Sequence, residues 1–306
     1  MNDIAFIIPV HNRLEYNQEC LRILAGQKES SFFKKNKIAI IVVDDGSTDG
    51  TGDWIKKNYP EVIVLQGDGN LWYSGSINLG IKYALTKLNC DFVQIWENDI
   101  IPADGYFDHM QSIMENSNIN TLLSSKLVYK NQPEIIHSMG GIFDPRTGKK
   151  VLIARNQEDG PGYQEPLEID WFSGQQVLIH KSVFEKVGFF DQINFPQYHA
   201  DIDFSLRVRM AGFKIMMYPS LRLLNDTEAT GINYNPDPTL RQFIQSLFSL
   251  RSNTNIRRNI KFWRKHTTSI IAYKNLLMVY IVHIGNFVRW KVLGWFGIKK
   301  ENEKLI

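Results

Sequence analysis

The chain has 306 residues, 43% of them hydrophobic and 22% charged, a balance that allows a large buried core and excludes an intrinsically disordered chain. Two cysteines, Cys20 and Cys90, are too few for a disulfide framework, and Cys90 borders an apolar run where a buried thiol is expected. The net charge of +3 conceals an asymmetry: Thr239 to Lys300 holds twelve Lys/Arg and no Asp or Glu, whereas Met1 to Pro238 holds 22 basic and 30 acidic residues.

Met1-Asn2-Asp3 runs straight into a strand, with no basic region followed by a long apolar stretch, so no signal peptide is expected and a reducing cytoplasm fits the two free cysteines. Ile4 to Val10 has the β-rich apolar look of a buried parallel strand, and helical spacing follows from Leu14 to Leu24. A second apolar run, Ile38 to Val43, ends in Asp44-Asp45-Gly46-Ser47-Thr48-Asp49-Gly50-Thr51, which supplies turn residues and helix caps ahead of Trp54-Ile55. The unit repeats with Val62 to Leu65, the loop Gly67-Asp68-Gly69-Asn70, a helix from about Gly75 to Leu88 and the strand Phe92 to Trp96. Alternating β and α units predict an α/β fold, a Rossmann-like, mostly parallel sheet flanked by helices on both faces. Ligands bind such sheets beyond the carboxyl ends of the strands. Asp44-Asp45 and the acidic triplet Glu97-Asn98-Asp99 both lie at such ends.

From Tyr106 to about Glu228 the rhythm is mixed: a helix over Tyr106 to Glu115, strands around Thr121 to Val128 and Val177 to His180, and Gly- and Pro-rich loops between Gly140 and Pro166. No linker-like stretch separates this part from the first. Residues 1–238 are therefore expected to form one domain and residues 239–306 an appended basic helical segment.

A nucleotide-diphosphate sugar presents a base, a ribose with two hydroxyls and a pyrophosphate. Carboxylates at strand ends accept hydrogen bonds from base N–H and ribose O–H groups, and further carboxylates hold a divalent cation against the pyrophosphate. In that light Asp45 is a base or ribose contact, Glu97 a ribose or metal contact and Asp99 a metal ligand. Taken alone, the octapeptide from Asp44 to Thr51 serves equally well as a capped turn.

Ile8-Pro9-Val10-His11-Asn12, the run Val42 to Thr51 and the acidic triplet, in this order, resemble the sequential signatures of family 2 glycosyltransferases, over roughly residues 4 to 225. The resemblance implies the GT-A fold, a base pocket lined by Pro9 and its neighbours, Asn12 among them, a base contact from Asp45, and a triplet corresponding to the Asp-x-Asp motif, with Glu97 in place of the usual first Asp. Gly69 to Ile81 resembles the donor-side loop and helix of the rhamnosyltransferase-like subgroup. There Trp72 and Tyr73 are candidates to stack on base or sugar, or else core aromatics, and Asn78 is the polar contact candidate. Asp170-Trp171-Phe172-Ser173-Gly174-Gln175-Gln176 is similar to the acceptor-side segment, which makes Trp171 and Gly174 sugar-site candidates, while Asp191 is expected to cap a loop.

In His199 to Phe213, Leu206, Met210 and Phe213 recur at helical spacing and place Asp201 near a helix start, where an acidic residue is in isolation a cap. The resemblance makes Asp201 the general base that an inverting transferase needs to take the acceptor proton. Asp203 is expected to be structural, and Ala200 stands where the family usually has an acidic residue. The histidine that many relatives carry after the next strand is missing; Asp226 and His199 are the candidate further ligands for Mg or Mn.

In the tail, Ser269 to Val288 is apolar but interrupted by Lys274, Asn275, His283 and Asn286, so a surface-lying helix is expected rather than a spanning one. Trp263, Trp290, Trp295 and Phe296 interleave with Arg257, Arg258, Lys261, Arg264, Lys265, Arg289 and Lys291, a composition suited to an anionic membrane surface or, alternatively, to a solvated cap over the domain. No nucleic-acid-binding motif accompanies this charge. The expected function is metal-assisted, inverting sugar transfer from a nucleotide-diphosphate donor to a glycan or lipid-linked glycan, in bacterial surface polysaccharide synthesis on the inner face of the membrane. A non-catalytic sugar-nucleotide-binding scaffold is the alternative. A nucleotidyltransferase would need a Gly-rich, Lys-containing triphosphate loop near the start, which the sequence lacks.

Overall fold

A computed structural model describes residues 1–174, 176–226 and 238–295. Gln175, Phe296 and the side chain of Trp295, all named above, lie outside the described residues. By their internal contacts the residues form two compact units, one of Met1–Ile142 with Leu152–Ala229, the other of Phe143–Val151 with Thr230–Ile306.

The first unit opens with β1 (Asp3–Val10), α1 (Leu14–Ala25), the short α2 (Ser31–Lys35), β2 (Lys37–Asp44), α3 (Thr51–Asn58), β3 (Ile63–Gln66), α4 (Trp72–Thr86) and β4 (Phe92–Trp96). β4, β1, β2 and β3 lie side by side in parallel, with Val10 opposite Asp44 and Asp44 opposite Gln66, so that the loops leaving all four strands gather at one edge. Ile4 to Ile8 are essentially solvent-free, because a central parallel strand is covered on both faces. One cover is aromatic: Phe6 lies within ring-contact distance of Phe32, Trp96 and Phe107. The other is α4, which sits so close to β1 that a Cβ at Gly80 would collide with the Ile7 side chain. That crossing demands glycine.

The chain continues through β5 (Ile100–Pro102), α5 (Tyr106–Asn116), β6 (Thr121–Tyr129), β7 (Gln132–Ser138), β8 (Gly141–Asp144), β9 (Lys149–Leu152), β10 (Leu167–Glu168), β11 (Gln176–His180), α6 (Lys181–Val187), α7 (Ala200–Met210) and β12 (Lys214–Asn225), all in the first unit except residues 143–151. β11 runs antiparallel between β4 and β6, β12 runs parallel to β6, and β10 borders β12, giving a mixed sheet whose parallel half carries the loops of the first hundred residues. The short β5 pairs with the end of β12, Ile100 opposite Asn225. Met210, one of the three helically spaced apolar residues, is 81% exposed, and Phe213 lies past the end of α7. The long loop between β9 and β10 is tied down by Lys126, which is 1% exposed and donates to Asp159 at 2.8 Å. Cys20 and Cys90 are buried free thiols.

The second unit gathers the tip of the β8–β9 hairpin, α8 (Leu240–Phe248), α9 (Ile256–His266) and α10 (Ile270–Trp295). Thr239 and Gln242 form a reciprocal capping box at the start of α8, and Asn255 caps α9. Phe143 packs edge-on against Phe262, and the indole of Trp263 covers Gly148, where a Cβ would clash with the ring and where φ is +70°. α10 turns Ala272, Leu276 and Tyr280 toward its neighbours, and the Tyr280 hydroxyl accepts from Asn259 at 2.7 Å and donates to the Thr254 carbonyl at 3.1 Å. Its remaining circumference is open and apolar: Ile270–Leu293 is long and apolar enough to cross a membrane, at mean hydropathy 1.3. Length and composition thus reach the threshold for spanning that the polar interruptions argued against.

Candidate active site

Two motifs far apart in sequence are laced together where β1 and β2 end. Asn12 and Arg13 both adopt left-handed backbone, φ 60° and 63°, a conformation non-glycine residues rarely take. It is held from outside: Asn12 N–H donates to Ser47 Oγ at 2.7 Å, Thr48 N–H donates to Asn12 Oδ1 at 2.8 Å, and Leu14 N–H donates to Asp49 Oδ2 at 2.9 Å. Pro9, opposite Val43, is half-buried at this edge. Asn98, the middle of the acidic triplet, joins the lacing by donating to Asn17 at 2.6 Å, and Asn17 donates in turn to the Asn12 carbonyl at 3.0 Å.

Asp45, expected to contact the base, is 6% exposed, and each carboxylate oxygen accepts a backbone N–H, from Gly69 at 2.8 Å and from Trp72 at 3.0 Å. Here it braces the donor-side loop. Trp72 itself is half-buried with φ 57°, at the first residue of α4. Asn78 requires a correction: it is 3% exposed and its amide is spent on the 190–192 segment, donating to the Phe190 carbonyl at 2.9 Å and accepting from Phe190 N–H at 3.0 Å. It fastens α4 to the chain leading into α7 and is not presented to a ligand. Ser74 reinforces this, its N–H donating to the Pro196 carbonyl at 2.9 Å.

The acceptor-side candidates meet through Tyr73. Its hydroxyl donates to the Gly174 carbonyl at 2.6 Å, and Gly174 N–H donates to Asp201 Oδ2 at 3.1 Å. Asp201 Oδ1 accepts from Ile202 N–H at 2.8 Å, so the carboxylate stands at the start of α7 with both oxygens oriented. A Cβ on Gly174 would lie 2.9 Å from the Tyr73 hydroxyl, which explains the glycine by close packing rather than by an opened floor. Trp171 is 6% exposed and its ring fills the space beside Gly141, so it is a packed wall and not a free stacking platform; its Nε1 has no hydrogen-bond partner among the described residues. Asp203 is fully buried and pairs with Arg207 at 2.9 Å, while Asp191 accepts from Asn194 N–H at 3.0 Å.

The acidic centre lies beyond β4. Burial pushes the Glu97 carboxyl well above the usual range, and the neighbouring Asp99 and Asp201 push it further. Asp99 is raised as well, by burial first, against the opposing pull of the Arg13 guanidinium. Tyr73 is raised by burial and then by Glu97 and Asp201, which sets these groups within one another's field. Asp226 is brought alongside by the β5–β12 pairing: its N–H donates to the Asp99 carbonyl at 3.1 Å, and its carboxylate accepts from Lys130 at 2.8 Å. His199 is buried with φ 68° at the head of α7, its ring near Phe195. Among the described residues no three Asp, Glu, His or Cys side chains converge as a ready-made metal cage. Asp99 Oδ1 is nonetheless buried with no N–H donor among the described residues and only the Glu97 carboxyl beside it, and an incompletely served buried acceptor is one that a cation satisfies. Arg13 and Lys130, which flank this centre, were not singled out in the sequence; Arg13 directly follows the Pro9-to-Asn12 motif, and that adjacency was the available signal.

A parallel-edged mixed sheet with strand-end carboxylates on one side and an acidic helix start on the other defines a GT-A-type α/β protein. Solved structures agree on the fold: GalNAc-T7 with UDP, GalNAc and Mn2+ superposes with a TM-score of 0.56 at 14% identity, over 74% of this chain and 44% of that one. The mannosyltransferase PcManGT from Pyrobaculum calidifontis, in complex with GDP-Man and Mn2+, gives 0.51 at 15% identity, over 92% and 70%. The description "Glycosyl transferase family 2" matches residues 5–188, and the chain belongs to that family. Among relatives, the N-acetylglucosaminyl-diphospho-decaprenol L-rhamnosyltransferase of Mycobacterium tuberculosis is 27% identical over 216 residues, 64% of this chain and 68% of that protein. The low-salt glycan biosynthesis hexosyltransferase Agl10 of Haloferax volcanii is 24% identical over 179 residues, 57% of this chain and 54% of its own length.

Proposed function

We propose that this chain transfers a sugar, with inversion, from a nucleotide-diphosphate donor to a hydroxyl of a growing glycan. The observation that carries the reading is Asp201, a carboxylate oriented by two backbone N–H groups and sharing a field with Glu97 across the site. Asp201 takes the acceptor hydroxyl proton as that oxygen attacks the anomeric carbon and the nucleoside diphosphate leaves. Pro9, Asn12 and the loop braced by Asp45 frame the nucleotide. Asp99, with Glu97 and Asp226 beside it, would hold a divalent cation, Mn or Mg, which when bound neutralises charge on the departing diphosphate. His199, buried at the head of α7, fits that role less well than Asp226.

The likeness to a rhamnosyltransferase named for a decaprenol-linked substrate supports a deoxyhexosyl donor and a lipid-linked acceptor, in bacterial surface polysaccharide synthesis. Asp201→Asn should lower nucleoside diphosphate release by about 10²–10⁴-fold while the thermal shift produced by the donor and Mn2+ persists. Wild-type protein that binds donor but releases no product across nucleotide sugars and acceptors would instead establish a scaffold, the reading favoured by Glu97 and by Ala200 at a usually acidic position.

The tail supports a cytoplasmic protein held peripherally on an anionic membrane. Leu277, Met278, Ile281, Val282 and Ile284 are exposed on α10, and Arg257, Lys261, Arg264 and Lys265 are exposed on α9, with no carboxylate between Thr239 and Lys300. Because α10 already spends one face on α8 and α9, docking parallel to the surface suits it better than spanning. The full chain should float with vesicles containing phosphatidylglycerol, stay behind with pure phosphatidylcholine, and be stripped by alkaline carbonate; resistance to carbonate would mean a spanning helix. Leu277→Glu with Ile281→Glu should abolish flotation.

A further inference from the structure

Arg13 is the one basic side chain paired with the acidic triplet among the described residues, and its pairing is incomplete. Its guanidinium stands 3.7 Å from Asp99 Oδ2, within Coulombic reach and beyond hydrogen-bond distance. The two side chains differ sharply in environment, 41% exposed for Arg13 and 2% for Asp99. Asp99 therefore has one oxygen facing a loosely placed cation, while the other, Oδ1, is buried and finds no N–H donor among the described residues, the Glu97 carboxyl being its neighbour there. A buried carboxylate whose one paired cation stays beyond hydrogen-bond distance attracts a cation that can approach more closely.

The backbone beneath Arg13 is fixed while its side chain is not. Asn12 and Arg13 are held in left-handed conformation by hydrogen bonds from or to Ser47, Thr48 and Asp49, the motif at the end of β2. The side chain leaves this anchored point half in solvent and passes 5.9 Å from the ring of Tyr16, with no hydrogen bond locking it to Asp99. It can swing without moving the loop. Guanidinium is the side-chain group best matched to phosphate oxygens, being planar, permanently charged and able to donate two parallel hydrogen bonds.

We propose that Arg13 is an exchangeable counter-ion: it neutralises Asp99 when no metal is present, yields that carboxylate to the incoming divalent cation, and turns to the donor's diphosphate. This rests on the sugar-transfer reading above for the identity of the anion, and on the structure alone for the competition with metal. The exchange makes two binding constants respond to Arg13 in opposite directions. A residue that merely supported the fold would weaken both, and one that only bound phosphate would leave metal affinity unchanged.

The test uses the full chain, Mn2+ alone and inorganic pyrophosphate. Free Mn2+ is followed by its paramagnetic resonance signal, and pyrophosphate binding at saturating Mn2+ by calorimetry. Removing a charge at this distance from a half-exposed position is worth roughly threefold to tenfold in affinity. Arg13→Gln should bind Mn2+ tighter by that factor and pyrophosphate weaker by a similar one, and Arg13→Lys should lie between wild type and Arg13→Gln for pyrophosphate. Circular dichroism and melting temperature establish that the variants are folded. Unchanged or weaker Mn2+ binding in folded Arg13→Gln overturns the proposal, as does unchanged pyrophosphate binding. Wild type that binds neither probe overturns it together with the metal assignment. Wild type that binds both, is altered by Arg13→Gln as expected and yet transfers no sugar leaves the exchange standing and overturns only the catalytic reading.

Discussion

Tyr73 shows how one hydroxyl can matter to a group it does not touch. It donates to the Gly174 carbonyl, and the same residue's N–H orients Asp201, so the phenol holds the proposed base through a single peptide unit. Tyr73→Phe removes the donor and leaves a carbonyl without its partner, at a cost of about 1–2 kcal/mol. The expected result is a fall of roughly tenfold in kcat with little change in the donor's KM, measured by nucleoside diphosphate release; a change confined to KM would assign Tyr73 to binding instead. A histidine supplies a residue-scale test by pH. Burial, helped by the charge of Arg155, pushes His137 down to about 4 from its usual value near 6.5. A depressed imidazole favours the neutral folded form, so its contribution is complete above about 6.5 and is lost as pH falls toward about 4. The loss approaches about 3 kcal/mol. Urea titrations at pH 7 and pH 4 should show it, and His137→Gln should flatten the difference. In the sequence Asp201 and Asp99 were marked by the family resemblance, because an acidic residue at a helix start is in isolation a cap and a strand-end carboxylate is an ordinary surface group. Asn78 misled, because an asparagine on a donor-side helix looks the same whether it faces a ligand or, as here, the Phe190 backbone.

Elements were legible where their own residues determine them. β1, β2 and β4 are apolar runs ended by polar turns, and α1 has a periodic apolar face, so the parallel half could be anticipated strand by strand; α7 has no such face, and its Met210 is exposed. β5, β7 and β10 could not. Gln132-Pro133-Glu134 has poor strand propensity, and β10 is two residues long, so these exist by pairing with β6 and β12 already in place. The β5–β12 pairing is what carries Asp226, already a candidate ligand from the sequence, alongside Asp99. The crossing of α4 over β1 is testable at the same scale. Gly80→Ala forces a methyl into Ile7 in a solvent-free layer and should destabilise by about 1–3 kcal/mol, read as a lower urea midpoint with an unchanged slope. Ala at Gly26, where nothing lies within reach of a new Cβ, is the control and should be neutral or better.

For the whole molecule, the acidic body and basic tail read from charge do not coincide with the compact units. Residues 143–151, deep in the first 238, belong by their contacts with the tail helices. Phe143 rests on Phe262, Lys150 lies 4.8 Å from the Phe262 ring centre, and Thr268 N–H donates to the Pro145 carbonyl at 3.1 Å. A chain cut after Pro238 should accordingly melt lower and aggregate, measurable by light scattering, rather than yield a clean soluble enzyme. The same arrangement bears on synthesis. The hairpin leaves the ribosome roughly a hundred residues before the helices that cover it, and at about 5–20 residues per second Phe143 waits several seconds for Phe262. Codon usage or chaperone supply across that interval should therefore affect the yield of folded protein, as it should for the equally distant pairing of β5 with β12.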